Sequence, residues 1–187
     1  MGKDFTSALR PAIVMALLFA ALLGIAYPLL ITGIGQLVFP AQANGSLVRD
    51  GAGKVIGSTV VGQAFTSERY FQTRPSAAGK GYDGLASSGS NLGPASQALV
   101  DRVKGDLAHR SVTGQPVPAD LVTASASGLD PDLSPEAALS QAERIARVRG
   151  LPEARVRALV EAEVRRPWLG DAHVNVLVLN RALDRVR

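Results

Sequence analysis

The chain has 187 residues, 47% of them hydrophobic, and a formal net charge of +4. This is about one domain's worth of ordinary composition, and it excludes a long disordered or low-complexity protein. Because the chain has no cysteine, disulfides and thiolate metal sites are also excluded. The positive charge comes mainly from arginines between Arg144 and Arg166 that are interleaved with glutamates. This pattern is typical of a solvated helix face and does not favour nucleic-acid binding.

The first element is a long apolar stretch near the amino terminus. Residues 11–48 contain no Asp, Glu, Lys or Arg, and residues 11–39 are mostly Ala, Leu, Ile, Val and Phe with a few Gly. As a helix, residues 11–39 would be about 40 Å long, which exceeds the ~30 Å of a bilayer core. The sequence therefore predicts a short amino-terminal segment over residues 1–10, a transmembrane helix over 11–39 and a soluble domain over 40–187.

A cleaved secretory signal is the alternative interpretation of this stretch. Residues 41–43, Ala-Gln-Ala, have the small-x-small form of a cleavage site. The apolar core of a signal is usually about 7 to 15 residues long, so the greater length here favours a retained anchor. Lys3 and Arg10 precede the span, and the positive-inside bias places the amino terminus in the cytoplasm and the domain outside, although Arg49 and Lys54 weaken this bias.

Small side chains recur at every fourth residue of the predicted transmembrane helix. Lipid tails do not drive helices together, so close approach through small residues is what lets one transmembrane helix pack on another. The spacing predicts a partner helix, and the alternative is that alanine is merely common in apolar helices. Pro28 lacks a backbone donor for the carbonyl of Gly24, which predicts a kink there. The predicted packing residues are Ala12, Ala16, Ala20, Gly24 and Pro28.

The first part of the soluble domain changes character at Pro94. Residues 41–93 are rich in Gly and Ser and contain short β-branched pieces, which favours brief strands and turns. Pro94 is predicted to open a helix at its first position. The apolar stripe of that helix consists of Leu99, Val103 and Leu107.

Two more helices and a strand are predicted to complete the domain. Ser134 caps a helix that has Pro135 at its first position and ends at Gly150. The next helix runs from Pro152 to about Arg166 and is ended by Pro167. Residues 174–179 are β-branched and mostly apolar, which predicts a buried strand. The fold class is therefore α/β, with one amino-terminal transmembrane helix followed by a single mixed α/β soluble domain.

Residues 87–94 read SSGSNLGP and precede the predicted Pro94 helix. Glycines next to a helix start can cradle a phosphate. A nucleotide-binding loop, however, needs Gly-Lys-Ser/Thr, and neither residues 53–55 nor residues 79–81 supply the hydroxyl. The simpler interpretation is a turn in which Ser or Asn side chains cap nearby donors.

Catalytic and metal-binding patterns are weak. His109 and His173 are the only histidines, so a multi-histidine metal site within one chain is excluded. His173, Asp171 and a serine can be imagined as a triad, but there is no nucleophile elbow, which favours a structural histidine. Residues 130–132, Asp-Pro-Asp, supply too few oxygen ligands for calcium and indicate a turn. The sequence predicts no catalytic and no metal-ligating residue.

Short motifs form an ordered series over nearly the whole chain. They are residues 26–30 (AYPLL), 42–47 (QANGSL), 57–65 (GS and GQxF), 70–77 (YFQTRPSA), 88–94 (SGSNLGP), 127–131 (SGLDP), 134–141 (SPxAAxxQ), 146–150 (AxxRG) and 174–180 (VNVLxLN). Each motif alone is weak, but the series is highly specific. On these motifs the chain resembles the C subunit of the bacterial Kdp-type potassium-transporting P-type ATPase.

The resemblance implies a non-catalytic accessory subunit of an ATP-driven, high-affinity potassium uptake pump in the bacterial inner (plasma) membrane. Its implied partners are a P-type subunit that hydrolyses ATP, a channel-like subunit that binds K⁺, and the lipid bilayer, with no nucleic acid. The family role is described as a catalytic chaperone that raises the ATP affinity of the hydrolysing subunit. ATP and K⁺ are thus used by the complex, and no cofactor is assigned to this chain. An Asp-Lys-Thr-Gly phosphorylation motif is absent from the sequence.

The resemblance also singles out two groups of residues in the domain. A domain outside the membrane can steady the channel-like subunit or act near its ion entrance. The small side chains of SSGSNLGP would let another surface approach closely, together with residues 74–76. Candidate partner-contact residues are Gln63, Phe65, Tyr70, Phe71, Arg74, Pro75, Ser76, Ser88, Gly89, Ser90, Asn91, Leu92, Gly93 and Pro94. Candidate structural residues are Ser134, Gln141, Asn175 and Asn180.

Two alternatives from other classes remain at this point. One is a membrane-anchored periplasmic enzyme that uses serine chemistry. The other is a secreted periplasmic binding module that is released after Ala43.

Overall fold

The computed structural model describes residues 2–110 and 116–186, with side chains from Ser7 onward, and the chain divides into two units, Met1–Leu47 and Val48–Arg187. The first unit is helical. Helix α1 (Gly2–Ala21) continues through a π-helical turn (Leu22–Ala26) into α2 (Tyr27–Val38). A single short turn of helix, α3 (Pro40–Ala43), follows.

One helical stretch of this unit is long and apolar enough to cross a membrane. Ser7–Val38 comprises 32 residues with a mean hydropathy of 2.5, and none of its most apolar window is buried. The helix itself begins at Gly2, ahead of the apolar run that starts at Pro11. One amino-terminal candidate membrane helix, followed by a domain of mixed helices and strands, confirms the predicted fold class.

The long helix departs from α-helical geometry directly before Pro28. The backbone N–H of Tyr27 donates to the carbonyl of Leu22, five residues back, which widens the turn. Because Pro28 has no N–H, the carbonyl of Gly24 cannot receive the usual α-helical bond, and a π-helical turn is a common response to such an interruption. The irregular turn lies where the sequence predicts a kink.

The strands are very short. Strands β1 (Leu47–Arg49) and β2 (Val55–Ser58) pair in one two-stranded sheet. Strands β3 (Asp132–Leu133) and β4 (Val174–Asn175) pair antiparallel in another, with Asp132 opposite Asn175. The predicted brief strands are therefore present, but sheet hydrogen bonds hold only a small part of the domain.

Five helices and a 3₁₀ turn supply the rest of the regular structure that is described. They are α4 (Gln97–Arg110), the 3₁₀ turn (Ala119–Leu121), α5 (Pro135–Leu139), α6 (Ala142–Arg149), α7 (Glu153–Glu163) and α8 (Val176–Asp184). The hydrophobic core joins α5 to α8 with β3, β4 and Phe71. Its buried residues are Phe71, Leu121, Leu133, Ala137, Ala138, Ala142, Ile145, Ala146, Val156, Val160, Val174, Val176, Leu179 and Leu183.

The helix predicted over residues 134–150 is present but broken. The hydroxyl of Ser134 accepts from the N–H of Ala137, as an N-cap does, and Gly150 ends α6 with a φ of 68°. Between these ends, Ser140 and Gln141 separate α5 from α6. The break places the side chain of Gln141 for the contacts described below.

Two predicted elements are wrong, and the first is the Pro94 helix. Pro94 does not open a helix, because it lies in a turn and α4 begins at Gln97. None of the residues described in α4 is buried, and Leu107 of the expected stripe is 36% exposed, so the stripe does not join the core.

The predicted strand over residues 174–179 is also wrong, because only Val174–Asn175 are extended and α8 begins at Val176. The side chain of Asn175 accepts from the N–H of Val178 and so starts a helix. Val176, Leu179 and Leu183 then face the core at helical spacing. The cap and this spacing outweigh the β-branched composition.

Candidate functional site: a loop held by buried polar side chains

Loop 63–78 contains half of the predicted partner-contact residues, from Gln63 to Ser76, and Phe71 is one of them. Phe71 itself is 0% exposed and lies in the core. Its backbone N–H donates to Oδ1 of Asn180 at 2.8 Å, and Nδ2 of Asn180 donates back to its carbonyl at 3.0 Å. The amide of Asn180 thus binds both backbone groups of one residue, as a neighbouring strand would.

Gln141 does the same at the next residue. The N–H of Gln72 donates to Oε1 of Gln141 at 2.8 Å, and Nε2 of Gln141 donates to the carbonyl of Gln72 at 3.0 Å. Arg144 then donates from Nη2 to the same Oε1 and to the carbonyl of Tyr70. Burial lowers the pKa of Arg144, and the charge of Glu68 beside it opposes this effect. Two side-chain amides, one just before α6 and one on α8, therefore replace a missing strand along the loop.

Arg149 fixes the start of this run. Its side chain is only 8% exposed, and its Nε donates to the carbonyl of Arg69 at 2.8 Å. Its Nη2 pairs with Asp184 at 2.8 Å, and its guanidinium lies 4.9 Å from the centre of the Tyr70 ring. The sequence assigns this arginine to a solvated face, which is wrong. The distant backbone carbonyl that it binds, 80 positions earlier, leaves no local sequence signal.

Residues 74–76 are fixed by a second group of contacts. Nη1 of Arg74 pairs with Oδ2 of Asp130 at 2.8 Å. The hydroxyl of Ser76 donates to the carbonyl of Gly128 at 2.6 Å and accepts from the N–H of Tyr82 at 2.8 Å. Tyr82 in turn donates its phenol to the carbonyl of Arg74, and burial raises the pKa of that phenol. The segment is bound at several points to residues 128–130 of the same chain.

The first three residues of SSGSNLGP, 87–89, pack against residues 126–128. The N–H of Ser88 and the hydroxyl of Ser87 both donate to the carbonyl of Ser127, at 3.0 and 2.9 Å. A Cβ on Gly89 would lie 3.1 Å from the carbonyl oxygen of Ala126. The small side chains therefore serve close approach within the chain itself, at least for residues 87–89.

The rest of the octapeptide leads to α4. Asn91 adopts a left-handed conformation with a φ of 53°. Ser90 and Leu92 are half-buried, and Gly93 and Pro94 are exposed in the approach to the helix. Residues 76–78 and residues 87–89 thus lie near each other, because both contact residues 125–128. Residues 91–94 are more exposed.

The remaining predicted residues have definite positions. Nε2 of Gln63 donates to the carbonyl of Ile56 at 2.9 Å, and the rings of Phe65 and Tyr70 lie 6.0 Å apart. Nδ2 of Asn175 donates to the carbonyl of Thr59 at 2.9 Å and to Asp132 at 3.0 Å. Asn175 therefore links its helix cap to strand β3 and to the segment after β2.

The predicted packing residues of the membrane helix are all exposed in this chain. Ala12, Ala16, Ala20, Gly24 and Pro28 lie in α1, the π-helical turn and α2, and a Cβ on Gly24 would meet nothing within 4 Å. They remain available to a neighbouring helix.

His173 and Asp171 do not have the geometry of a triad pair. Nδ1 of His173 lies 3.0 Å from the backbone carbonyl of Asp171, whereas a triad histidine is oriented by a carboxylate. The hydroxyl of Ser134 donates to Asp120 and accepts from the helix that it caps. Among the side chains that are described, those of residues 7–110 and 116–186, no group of three or more His, Asp or Glu could hold a metal ion.

These observations define a class of protein: one helix that is long and apolar enough to cross a membrane, joined to a mixed helix and strand domain whose buried polar side chains hold its own backbone. The family model described as KdpC, the K⁺-transporting ATPase c chain, matches residues 9–185. The chain therefore belongs to the KdpC family of K⁺-transporting ATPase subunits.

Several relatives carry the name potassium-transporting ATPase KdpC subunit. The protein of Caulobacter vibrioides is 55% identical over 183 residues, which cover 95% of this chain and 93% of that protein. The protein of Myxococcus xanthus is 53% identical over 192 residues, covering 99% of this chain and 89% of its own. The protein of Allorhizobium ampelinum is 54% identical over 184 residues, covering 95% and 96%.

Proposed function

We propose that this chain is a non-catalytic accessory subunit of an ATP-driven, high-affinity K⁺ uptake pump, needed for assembly or stability of the complex. The match of residues 9–185 to the KdpC family model supports the K⁺ pump, and one structural observation supports a place in a membrane complex. The most apolar window of Ser7–Val38 is 0% buried, so the large apolar side chains of this helix are not covered by the rest of the described chain. Such a helix needs lipid and neighbouring helices around it, and a multi-subunit membrane pump supplies both.

The partners in this proposal are the channel-like K⁺-binding subunit and the P-type ATP-hydrolysing subunit. Packing of the small-residue face of the helix against one of them accounts for the four-residue spacing of Ala12, Ala16, Ala20 and Gly24. Ala20→Leu should reduce the amount of the other subunits that co-purify with the tagged chain. Ala21→Leu is the matched control, because it places the same side chain about 100° further round the helix. Equal loss with both variants would count against a specific packing face.

On this proposal the amino terminus lies in the cytoplasm and the domain lies on the extracytoplasmic side of the bacterial inner membrane. The support is the positive-inside bias from Lys3 and Arg10. Protease added to intact spheroplasts should digest the domain, whereas protease added to inside-out vesicles should leave it intact. The reverse pattern would place the domain in the cytoplasm and overturn this topology.

The proposed effect on ATP use acts through the assembled complex. A domain outside the membrane cannot touch cytoplasmic ATP, so any increase in the ATP affinity of the hydrolysing subunit has to be transmitted through subunit contacts. The test compares the KM for ATP of the complex purified with and without this chain. A higher KM, or loss of the complex, is expected without the chain. Unchanged assembly and kinetics would contradict an accessory role, and ATP turnover by the chain alone would contradict a non-catalytic one.

A further inference from the structure

The loop over residues 165–173 presents an apolar tip. Its base is closed by two backbone hydrogen bonds, from Arg165 N–H to the His173 carbonyl at 2.9 Å and from His173 N–H to the Arg165 carbonyl at 3.0 Å. At the tip, Trp168 is 93% exposed and Leu169 is 74% exposed. Trp168 is the single tryptophan of the chain. Large apolar side chains held in water on a closed loop indicate a contact surface, since their burial by a partner is favourable.

A carboxylate-lined cavity of about 550 Å³ lies beside the returning arm of this loop. Its lining includes Asp171, Ala172 and His173 from the loop. Asp171 is three residues from Trp168, so their Cα atoms are at most about 11 Å apart. The other lining carboxylates are Asp120, Asp130, Asp132 and Glu136.

The charge of this cavity is not balanced from within. Five carboxylates line it, against the guanidinium of Arg74 and the ring of His173, and the charge of Arg165 at the base of the loop also acts on Asp132. Arg74 is already paired with Asp130 at 2.8 Å. Burial raises the pKa of Asp132, which weakens its contribution to the negative charge, but Glu136 and Asp171 are exposed. The cavity therefore favours a cationic side chain brought in from outside.

We propose that Trp168, Leu169 and the adjoining carboxylate-lined cavity form a docking surface for an extracytoplasmic segment of another subunit of the same complex. The segment that fits has an apolar pocket for Trp168 and, beside it, a lysine or arginine that enters the cavity. This inference rests on the proposed function and names a surface through which that function is exercised.

The observations favour a protein over a bilayer as the occupant. Arg165 and Arg166 are exposed on the loop itself, but the five carboxylates of the cavity outnumber these two arginines and Arg74 together, so the face complements a cationic side chain on a protein better than an anionic membrane surface. The closed base also limits the freedom of the residues between Arg165 and His173 before binding, which lowers the entropy cost of docking. Tryptophan is typical of the residues that carry most of the energy of protein interfaces.

The first test is photo-crosslinking of the full-length chain within the membrane complex. A benzophenone amino acid replaces Trp168 in one variant and Leu85 in the matched control, because Leu85 is fully exposed on a different loop. Ultraviolet light should join position 168, and not position 85, to another subunit. Adducts of position 168 with lipid alone, or no adducts in an assembled complex, would overturn the proposal.

The second test measures how fast the chain dissociates from the purified complex. Trp168→Ala should raise the dissociation rate about tenfold or more, whereas Leu85→Ala should not change it. Glu136→Gln combined with Asp171→Asn should also weaken retention and reduce its dependence on salt, with Glu161→Gln as the control. The melting temperature of the chain should stay the same in every variant, since all of these side chains are exposed.

The outcomes separate this proposal from the function on which it rests. A wild-type chain that co-purifies with other subunits while Trp168→Ala dissociates no faster would overturn only the docking surface. A wild-type chain that binds no other subunit would overturn the proposed function and this inference together. Weaker flotation of Trp168→Ala with vesicles of anionic phospholipid, without any change in dissociation, would assign the loop to the bilayer and overturn the docking surface.

Discussion

The two units of the chain differ in where their side chains find partners. In Met1–Leu47, the most apolar window of the long helix is wholly unburied. In Val48–Arg187, apolar side chains from α5 to α8 are buried against one another in a core, and Asn180 and Gln141 are buried with hydrogen-bond partners. The helix therefore depends on its surroundings for its contacts, whereas the domain supplies its own.

The domain also shows how a chain poor in β-sheet satisfies its backbone. Loop 63–78 crosses the core at Phe71, where backbone groups cannot reach water. Side chains of Asn180, Gln141 and Arg144 bind those groups and their neighbours instead. Substitutions in these side chains should lower stability, while substitutions on exposed surfaces should not.

Asn180→Ala should have the largest effect. It removes both partners of Phe71, whose backbone N–H and carbonyl are bound at 2.8 and 3.0 Å and are buried. Each of the two buried groups left without a partner costs about 1–3 kcal/mol, so the free energy of unfolding should fall by about 2–6 kcal/mol. Denaturant unfolding of the full-length chain in detergent measures this.

The matched control is Gln97→Ala on α4, where Gln97 is exposed and bonds only Asp101 among the described contacts. Its effect should stay within about 0.5 kcal/mol. A similar fall in the free energy of unfolding for both substitutions would contradict the importance of the Asn180 amide for the buried backbone of Phe71.

Gly128→Ala should cost about 2–3 kcal/mol, because both the left-handed conformation and an overlap with backbone oppose a side chain. Gly128 has a φ of 67°, and a Cβ there would lie 2.7 Å from the backbone N of Ala78 and 2.7 Å from the carbonyl oxygen of Ser88. Thermal unfolding measures the loss.

Gly84→Ala provides the comparison, since a Cβ on Gly84 would meet nothing within 4 Å. That variant should be neutral or slightly more stable, because alanine restricts the unfolded chain. A stable Gly128→Ala chain would show that residues 76–78 and 87–89 do not depend on their close packing against residue 128.

Asn91→Ala should lower stability by about 0.5–1 kcal/mol, because alanine tolerates the left-handed φ of 53° less well than asparagine does. Asn91→Gly removes the same side chain but permits that backbone, so its stability should stay near that of the wild type. Comparing the two variants separates backbone strain from loss of the amide. If both variants weaken subunit association equally without any loss of stability, the amide itself contacts a partner.

Asp132→Asn should have the smallest effect and should reveal a pH dependence. Burial raises the pKa of Asp132 above its ordinary value near 3.8, so the folded chain holds this proton more tightly than the unfolded chain. The stabilisation that the protonated Asp132 carboxyl gives the folded chain is complete at a pH below that ordinary value. It is lost as the pH rises through the raised pKa. The unfolding free energy of the wild type minus that of the variant should therefore fall over this window and then level off. A difference that rises with pH would contradict the sign.

The sequence predicts those features that depend on local spacing. The apolar run, the irregular turn at Pro28, the Ser134 cap and the Gly150 terminus all follow from neighbours in the chain. Composition alone predicts a strand for residues 176–179, because they are β-branched or apolar. It does not show that Asn175 caps a helix at this point. In the predicted Pro94 helix, the apolar stripe carries no information about whether a core covers it.

The candidate site could be predicted only in part. Motif resemblance draws attention to residues 70–77, Gln141 and Asn180, but the sequence contains no signal that Gln141 binds Gln72 or that Asn180 binds Phe71 across 69 and 109 positions. The same holds for Arg149, whose charge suggests solvent although its side chain is largely buried. Contacts of this kind are set by tertiary packing and not by periodicity.

The proposed role as a pump subunit is tested most directly by native mass spectrometry of the tagged, full-length chain, released from potassium-starved membranes in detergent. This measurement gives the length of the chain and the identity of its partners together. We expect an uncleaved chain that travels with a P-type ATPase subunit and a channel-like subunit. A chain that travels alone, or one that has been cut after Ala43, would contradict it.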